Sequence, residues 1–198
     1  MRDLKFGTVS LAVALLGTGS LPTSAAWAAD TLAKIRETRS VTLANRDASV
    51  PFSYLDENKN PIGYSIDLCN RIVEGILREL KLPQLNVVYL SVTPSTRIPA
   101  IINGEADLEC GSTTYNAERR KQVTFTIPHF VAAARMVVRT DSGIKNWADL
   151  KDKIVVTTKG PTTVKLLNGR DKVRALGLSL KEGKDHNDSF AMVERGYA

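Results

Sequence analysis

Polar and cationic side chains recur in this sequence where strand-like runs give way to loops. Arg46 follows almost directly on the run Val41-Thr42-Leu43-Ala44. Ser112 and Thr114 lie in the polar loop Gly111-Ser112-Thr113-Thr114, after the strand-like Asp107-Leu108-Glu109-Cys110. Thr162 and Thr163 follow Gly160 and Pro161, between a predicted strand at Ile154–Val156 and a helix start at Val164–Asn168. Arg119 stands just beyond the second loop. In open α/β sheets, ligands bind outside the carboxyl ends of the strands. The planar fork of arginine suits a bidentate grip on a carboxylate. A turn leading into a helix offers free backbone N–H groups and partial positive charge to an anion. A single arginine read alone is a solvated surface residue. Several anion-suited groups at strand ends point instead to non-covalent binding of a carboxylate ligand.

Other chemistries find less support. The sequence has no Gly-x-Ser-x-Gly elbow and no His-Glu-x-x-His motif. Cys110 with His129 or His186 is formally a nucleophile pair, but no spacing brings them together. Two Cys and two His at no ligand spacing argue against a zinc site. We therefore expect no catalytic residue, no metal and no cofactor. A composition of 43% hydrophobic and 24% charged residues excludes a disordered chain and a multi-pass membrane protein. The net charge of +6 would suit nucleic acid, but basic residues are interleaved with acidic ones and only Arg119-Arg120-Lys121 clusters. With no nucleic-acid-binding motif, no such partner is expected.

The elements that must position these groups alternate. A short helix at Leu32–Arg39 leads into the strand at Val41–Ala44. Pro51–Tyr54 resumes extended structure, and Asp56–Pro61 reads as a hairpin tip. Ser65 or Asp67 can cap a helix reaching about Leu80, whose apolar residues recur at spacings of three and four. Asn86–Leu90 is a strand, and Arg97–Asn103 is a helix ending at Gly104. Phe130–Arg139 reads as a long strand, Trp147–Leu150 as one helical turn and Asn187–Gly196 as a final helix. Strands alternating with helices predict an α/β fold with a mainly parallel sheet.

Residues 1–28 read as a signal peptide. Arg2 and Lys5 precede an apolar run at Val9–Leu16, and Ala26-Trp27-Ala28 supplies a cleavage site before Ala29. The run is well short of the roughly 20 residues of a spanning helix. Export places Cys69 and Cys110 in an oxidising compartment, where a Cys69–Cys110 disulfide becomes an option. Two buried free thiols, or pairing outside the chain, stay open alongside it.

The stretches Arg46–Tyr54 and Gly63–Leu68, followed by Arg97-Ile98-Pro99, resemble the family 3 extracellular solute-binding proteins. Glu109–Thr114 with Glu118-Arg119, and Lys184–Phe190, are similar to the glutamate/aspartate-binding branch that serves bacterial ABC importers. The resemblance implies a two-lobe, type II periplasmic-binding-protein-like fold that closes on an amino acid. Lobe 1 would span 29–130, a hinge strand 131–139 and an incomplete lobe 2 140–198. The resemblance assigns Arg119 and backbone N–H groups near Thr162 to the α-carboxylate. It places Ser112 and Thr114 near the α-ammonium, and Arg46, Arg97 and His186 around the side-chain carboxylate. Pro94 departs from the small hydroxyl residue that relatives can carry there. Relatives also continue with a strand, an acidic residue for the ammonium, a second hinge crossing and a return to lobe 1, so this chain is expected to be C-terminally truncated. The implied role is a monomeric periplasmic binder of glutamate or aspartate that delivers to a membrane permease and ATPase. A non-functional fragment of such a protein and a dehydratase-like enzyme on the same fold are the alternatives.

Overall fold

The computed structural model describes residues 31–198. The expected signal segment lies outside the described residues. The chain opens with α1 (Thr31–Thr38) and β1 (Ser40–Asn45), then a small three-stranded unit of β2 (Ala48–Ser49), β3 (Ser53–Leu55) and β4 (Pro61–Ile62). There follow α2 (Tyr64–Leu80), β5 (Asn86–Ser91), α3 (Arg97–Ile102), β6 (Leu108–Glu109) and α4 (Ala117–Arg120). Beyond a stretch without helix or strand come a 3₁₀ turn at Trp147–Leu150, β7 (Ile154–Thr158), α5 (Pro161–Arg174), β8 (Ser179–Gly183) and α6 (His186–Glu194).

β1 is the central strand of the first sheet, in the order β5-β1-β6, and both neighbours run parallel to it. Val41, Leu43 and Ala44 of β1 are fully buried. Val41 and Leu43 meet Ile35 of α1 and Ile66, Cys69, Val73 and Leu80 of α2 in one apolar cluster. The spacing of those α2 residues lays a single apolar stripe against the sheet. Asp107 fixes the approach to β6: one carboxylate oxygen pairs with Lys34 Nζ at 2.9 Å, and the other accepts the Thr42 N–H at 2.8 Å. Cys69 and Cys110 form a disulfide, with their Cα atoms 6.1 Å apart. It ties α2 to the residue that follows β6.

Two local expectations change. Neither Ser65 nor Asp67 caps α2; the N-cap is Gly63, with φ +121° and no side-chain cap. A Cβ at residue 63 would lie 2.7 Å from the Phe52 carbonyl oxygen, so only glycine fits this entry to the helix. Ser65 is left free to donate its hydroxyl to the Gly111 carbonyl at 2.7 Å. The expected strand at 130–139 does not form. Its composition suits a strand, but a strand needs a hydrogen-bonding neighbour, and none of the described strands pairs with it. Val131 is 92% exposed. Phe130 instead packs edge-on against Phe52, with ring centroids 4.9 Å apart.

The second half builds its own sheet. β7 and β8 run parallel in register from Ile154↔Ser179 to Thr158↔Gly183, with α5 as the crossover. β7 extends two residues past the predicted Val156, which carries the chain on to Thr158. The separation of this sheet from the β5-β1-β6 sheet is the physical basis for a two-lobe reading.

Candidate functional site

The strand ends of both halves open onto one cavity of about 160 Å³. Engineered cavities of about 150 Å³ admit a ligand of benzene's bulk, so this space suits a small molecule. Arg46, Arg97, Ser112, Thr114 and Arg119 line it from the first half. Thr162 and His186 line it from the second. All seven residues singled out in the sequence therefore face the same space. Pro94, Thr158, Lys159, Gly160 and Thr163 complete the wall. Thr158 and Lys159 carry no motif, but a strand drawn to its full length would have ended beside them.

Each arginine is delivered by a different element. Arg46 follows β1 and is 2% exposed. Its N–H donates to Ser53 Oγ at 2.9 Å, so the β2–β4 unit clamps its backbone. Arg97 is the first residue of α3, and Arg119 sits on α4. Each is 6% exposed. Asn116 caps α4 by accepting the Arg119 N–H at 2.9 Å. The Arg119 side chain donates from Nη1 to the Thr114 carbonyl at 3.0 Å, which holds the loop that carries Ser112 and Thr114. Ser112 Oγ lies 2.7 Å from Ser49 Oγ. Across the cavity, Asn116 Nδ2 donates to Thr162 Oγ1 at 3.5 Å, bridging α4 and α5.

The charge in this cavity is under-compensated. Arg46 Nη2, Arg97 Nε and Arg97 Nη1 are buried donors without a hydrogen-bond partner. Burial lowers the pKa of all three arginines, and Arg97 falls to about 10. Glu109 opposes the shift in each case, while the neighbouring arginines add to it at Arg97. All three still carry their charge at pH 7. Burial also lowers the pKa of His186, and the positive fields of Arg46 and Arg97 lower it further against the opposing Asp185. His186 is thus held neutral, with Nδ1 2.7 Å from Thr158 Oγ1. A buried donor left unpaired is costly, and a carboxylate would satisfy several at once. Thr162 and Thr163, in the first turn of α5, line the same wall, where a helix N-terminus favours negative charge. Among the described residues no group of three or more His, Cys, Asp or Glu is placed to hold a metal ion.

Fold and cavity together give an α/β chain with a small polar cavity at its strand ends. The family profile for bacterial extracellular solute-binding proteins, family 3, matches residues 41–185, and the chain belongs to that family. An L-glutamate/L-aspartate-binding protein of Pseudomonas aeruginosa is 48% identical over 169 residues, covering 85% of this chain and 56% of the relative. A glutamate/aspartate import solute-binding protein of Escherichia coli K12 is 40% identical over 199 residues, covering all of this chain and 66% of the relative. The chain thus spans less than two thirds of the length of these curated relatives. Both relatives are binding proteins. Among solved structures, the P235GK mutant of ArgBP from T. maritima superposes with a TM-score of 0.72 at 26% identity, over 85% of this chain and 69% of that one. The fold is that of the type II periplasmic amino-acid-binding proteins.

Proposed function

We propose that this chain is the ligand-binding portion of a periplasmic solute-binding protein for glutamate or aspartate, which delivers its ligand to the permease and ATPase of an ABC importer. The observation that carries this reading is the convergence of three buried arginines, with unpaired donors on Arg46 and Arg97, on one small cavity. Two carboxylates on one small ligand match that demand. Arg119 and the N–H groups at Thr162 would take the α-carboxylate. Arg46, Arg97 and His186 would take the side-chain carboxylate, and Ser112 and Thr114 would lie near the ammonium. The names of the two relatives support the ligand class. The family's extracellular character supports a periplasmic location. Lobe 1 would run to residue 130 and lobe 2 from 140, joined by 131–139. The ligand is bound and released without turnover.

Titration calorimetry tests this directly. Glutamate or aspartate should bind at least about 30-fold tighter than glutamine, because a neutral amide leaves a buried guanidinium uncompensated, at about 2–5 kcal/mol. Binding of neither acid, equal binding of glutamine, or conversion of the ligand would overturn the reading.

A further inference from the structure

Glu109 belongs to neither the predicted site nor the cavity wall, yet it is the carboxylate that acts on all three arginines. It ends β6 and pairs in register with Ala44, two residues before Arg46. Its side chain is only 16% exposed. Oε1 lies 3.9 Å from Arg97 Nη1, too far for a hydrogen bond, and both atoms are buried without one. Gly111 makes room for this carboxylate: a Cβ there would collide with Glu109 Oε1 and stand 3.0 Å from Arg46 Cγ. Asp47 and Asp185 act on Arg46, whereas Glu109 acts on Arg46, Arg97 and Arg119 alike.

We propose that Glu109 is the built-in counter-charge of the cavity, which holds the arginines together while the cavity is empty and limits how tightly it takes an anion. The inference rests on the anion-binding reading above. At 3.9 Å the link is one of charge, not of a formed hydrogen bond. A ligand carboxylate arriving at Arg97 must therefore compete with Glu109 for the same guanidinium. The empty protein gains stability from the attraction, and the bound state bears the repulsion between two carboxylates. Glu109 is a positioning residue in this scheme and need not touch the ligand.

The test compares wild type, Glu109→Gln and Glu109→Asp at low ionic strength. Thermal melts are recorded without anion and with sodium sulfate, and glutamate is titrated by calorimetry. Glu109→Gln keeps the shape and removes the charge. It should melt lower without anion, gain more from sulfate than wild type does, and bind glutamate about fivefold tighter or more, the scale of two unit charges about 4 Å apart even at the dielectric of bulk water. Glu109→Asp should stay near wild type on every measure. A merely structural role would weaken folding and binding together, so the opposite signs are the signature. An unchanged anion-free melt, or glutamate binding that is weaker or unaltered in Glu109→Gln, overturns the proposal. If Glu109→Gln folds only when sulfate or glutamate is present, the proposal is supported. If neither restores folding while Glu109→Asp folds, it is overturned. Wild type that binds neither glutamate nor aspartate would sink the proposed function, while the anion-free and sulfate melts would still decide the role of Glu109.

Discussion

His186 Nδ1 and Thr158 Oγ1 lie 2.7 Å apart, so the first residue of α6 and the last of β7 meet at the cavity wall. His186 is held neutral by burial and by the fields of Arg46 and Arg97. Its folded pKa lies below the ordinary 6.5, so the unfolded chain binds the proton more readily. The contribution of His186 to stability is full above pH 6.5 and is lost as pH falls through that value towards the depressed folded one. Urea melts from pH 7.5 to 5 should show this decline, and His186→Gln should flatten it. An anion in the cavity opposes the arginine fields and draws the proton back on. Glutamate binding should therefore take up a fraction of a proton near pH 6, read as a buffer-dependent enthalpy in calorimetry. Enthalpies independent of the buffer would refute this proton uptake.

The arginines should separate ligand charge from ligand shape. Arg46→Ala and Arg97→Ala each remove a buried cation from the side-chain end of the proposed ligand. Glutamate affinity should fall by about 10²–10³-fold, whereas glutamine should lose far less. Equal losses for the two ligands would show that no side-chain carboxylate is held there.

The disulfide should matter to stability. Closing the 41-residue separation between Cys69 and Cys110 restricts the unfolded chain, a stabilisation of about 2–4 kcal/mol. Urea unfolding in reducing buffer should lose that amount. Paired Cys69→Ala and Cys110→Ala substitutions should reproduce the loss, and an unchanged midpoint in both would refute it.

The core should answer differently from the site. Leu43 is fully buried in the central strand. Leu43→Ala should cost about 2–5 kcal/mol in urea unfolding. Calorimetry on the folded protein should return a glutamate affinity within a few-fold of wild type. A large loss of affinity would mean that core and cavity are coupled more tightly than the contacts suggest.

The sequence was informative where pattern and structure share a cause. The apolar stripe of α2 and the buried run of β1 are periodic, and both formed as expected. The seven residues that line the cavity from both halves were picked out by polar groups at strand ends together with the family resemblance. Glu109 was not, since its importance comes from its 3.9 Å approach to Arg97 in the folded chain, which no spacing encodes. Thr158 was missed because β7 was drawn two residues short. β8 shows Ser, Lys and Glu at largely exposed positions, so no apolar alternation marks it. The segment 130–139 failed in the other direction: its composition suits a strand, but pairing depends on a neighbour that composition cannot supply.

β1 holds its buried apolar residues up to Ala44 and presents Arg46 two positions later. β6, β7 and α6 likewise deliver Ser112, Thr158 and His186 from the margins of their own elements. Cohesion and selectivity are thus written in adjacent but separate alphabets along each strand. A lineage could exchange the letters at the tips, and with them the chemistry of the cavity, while leaving the layer that keeps the chain folded untouched.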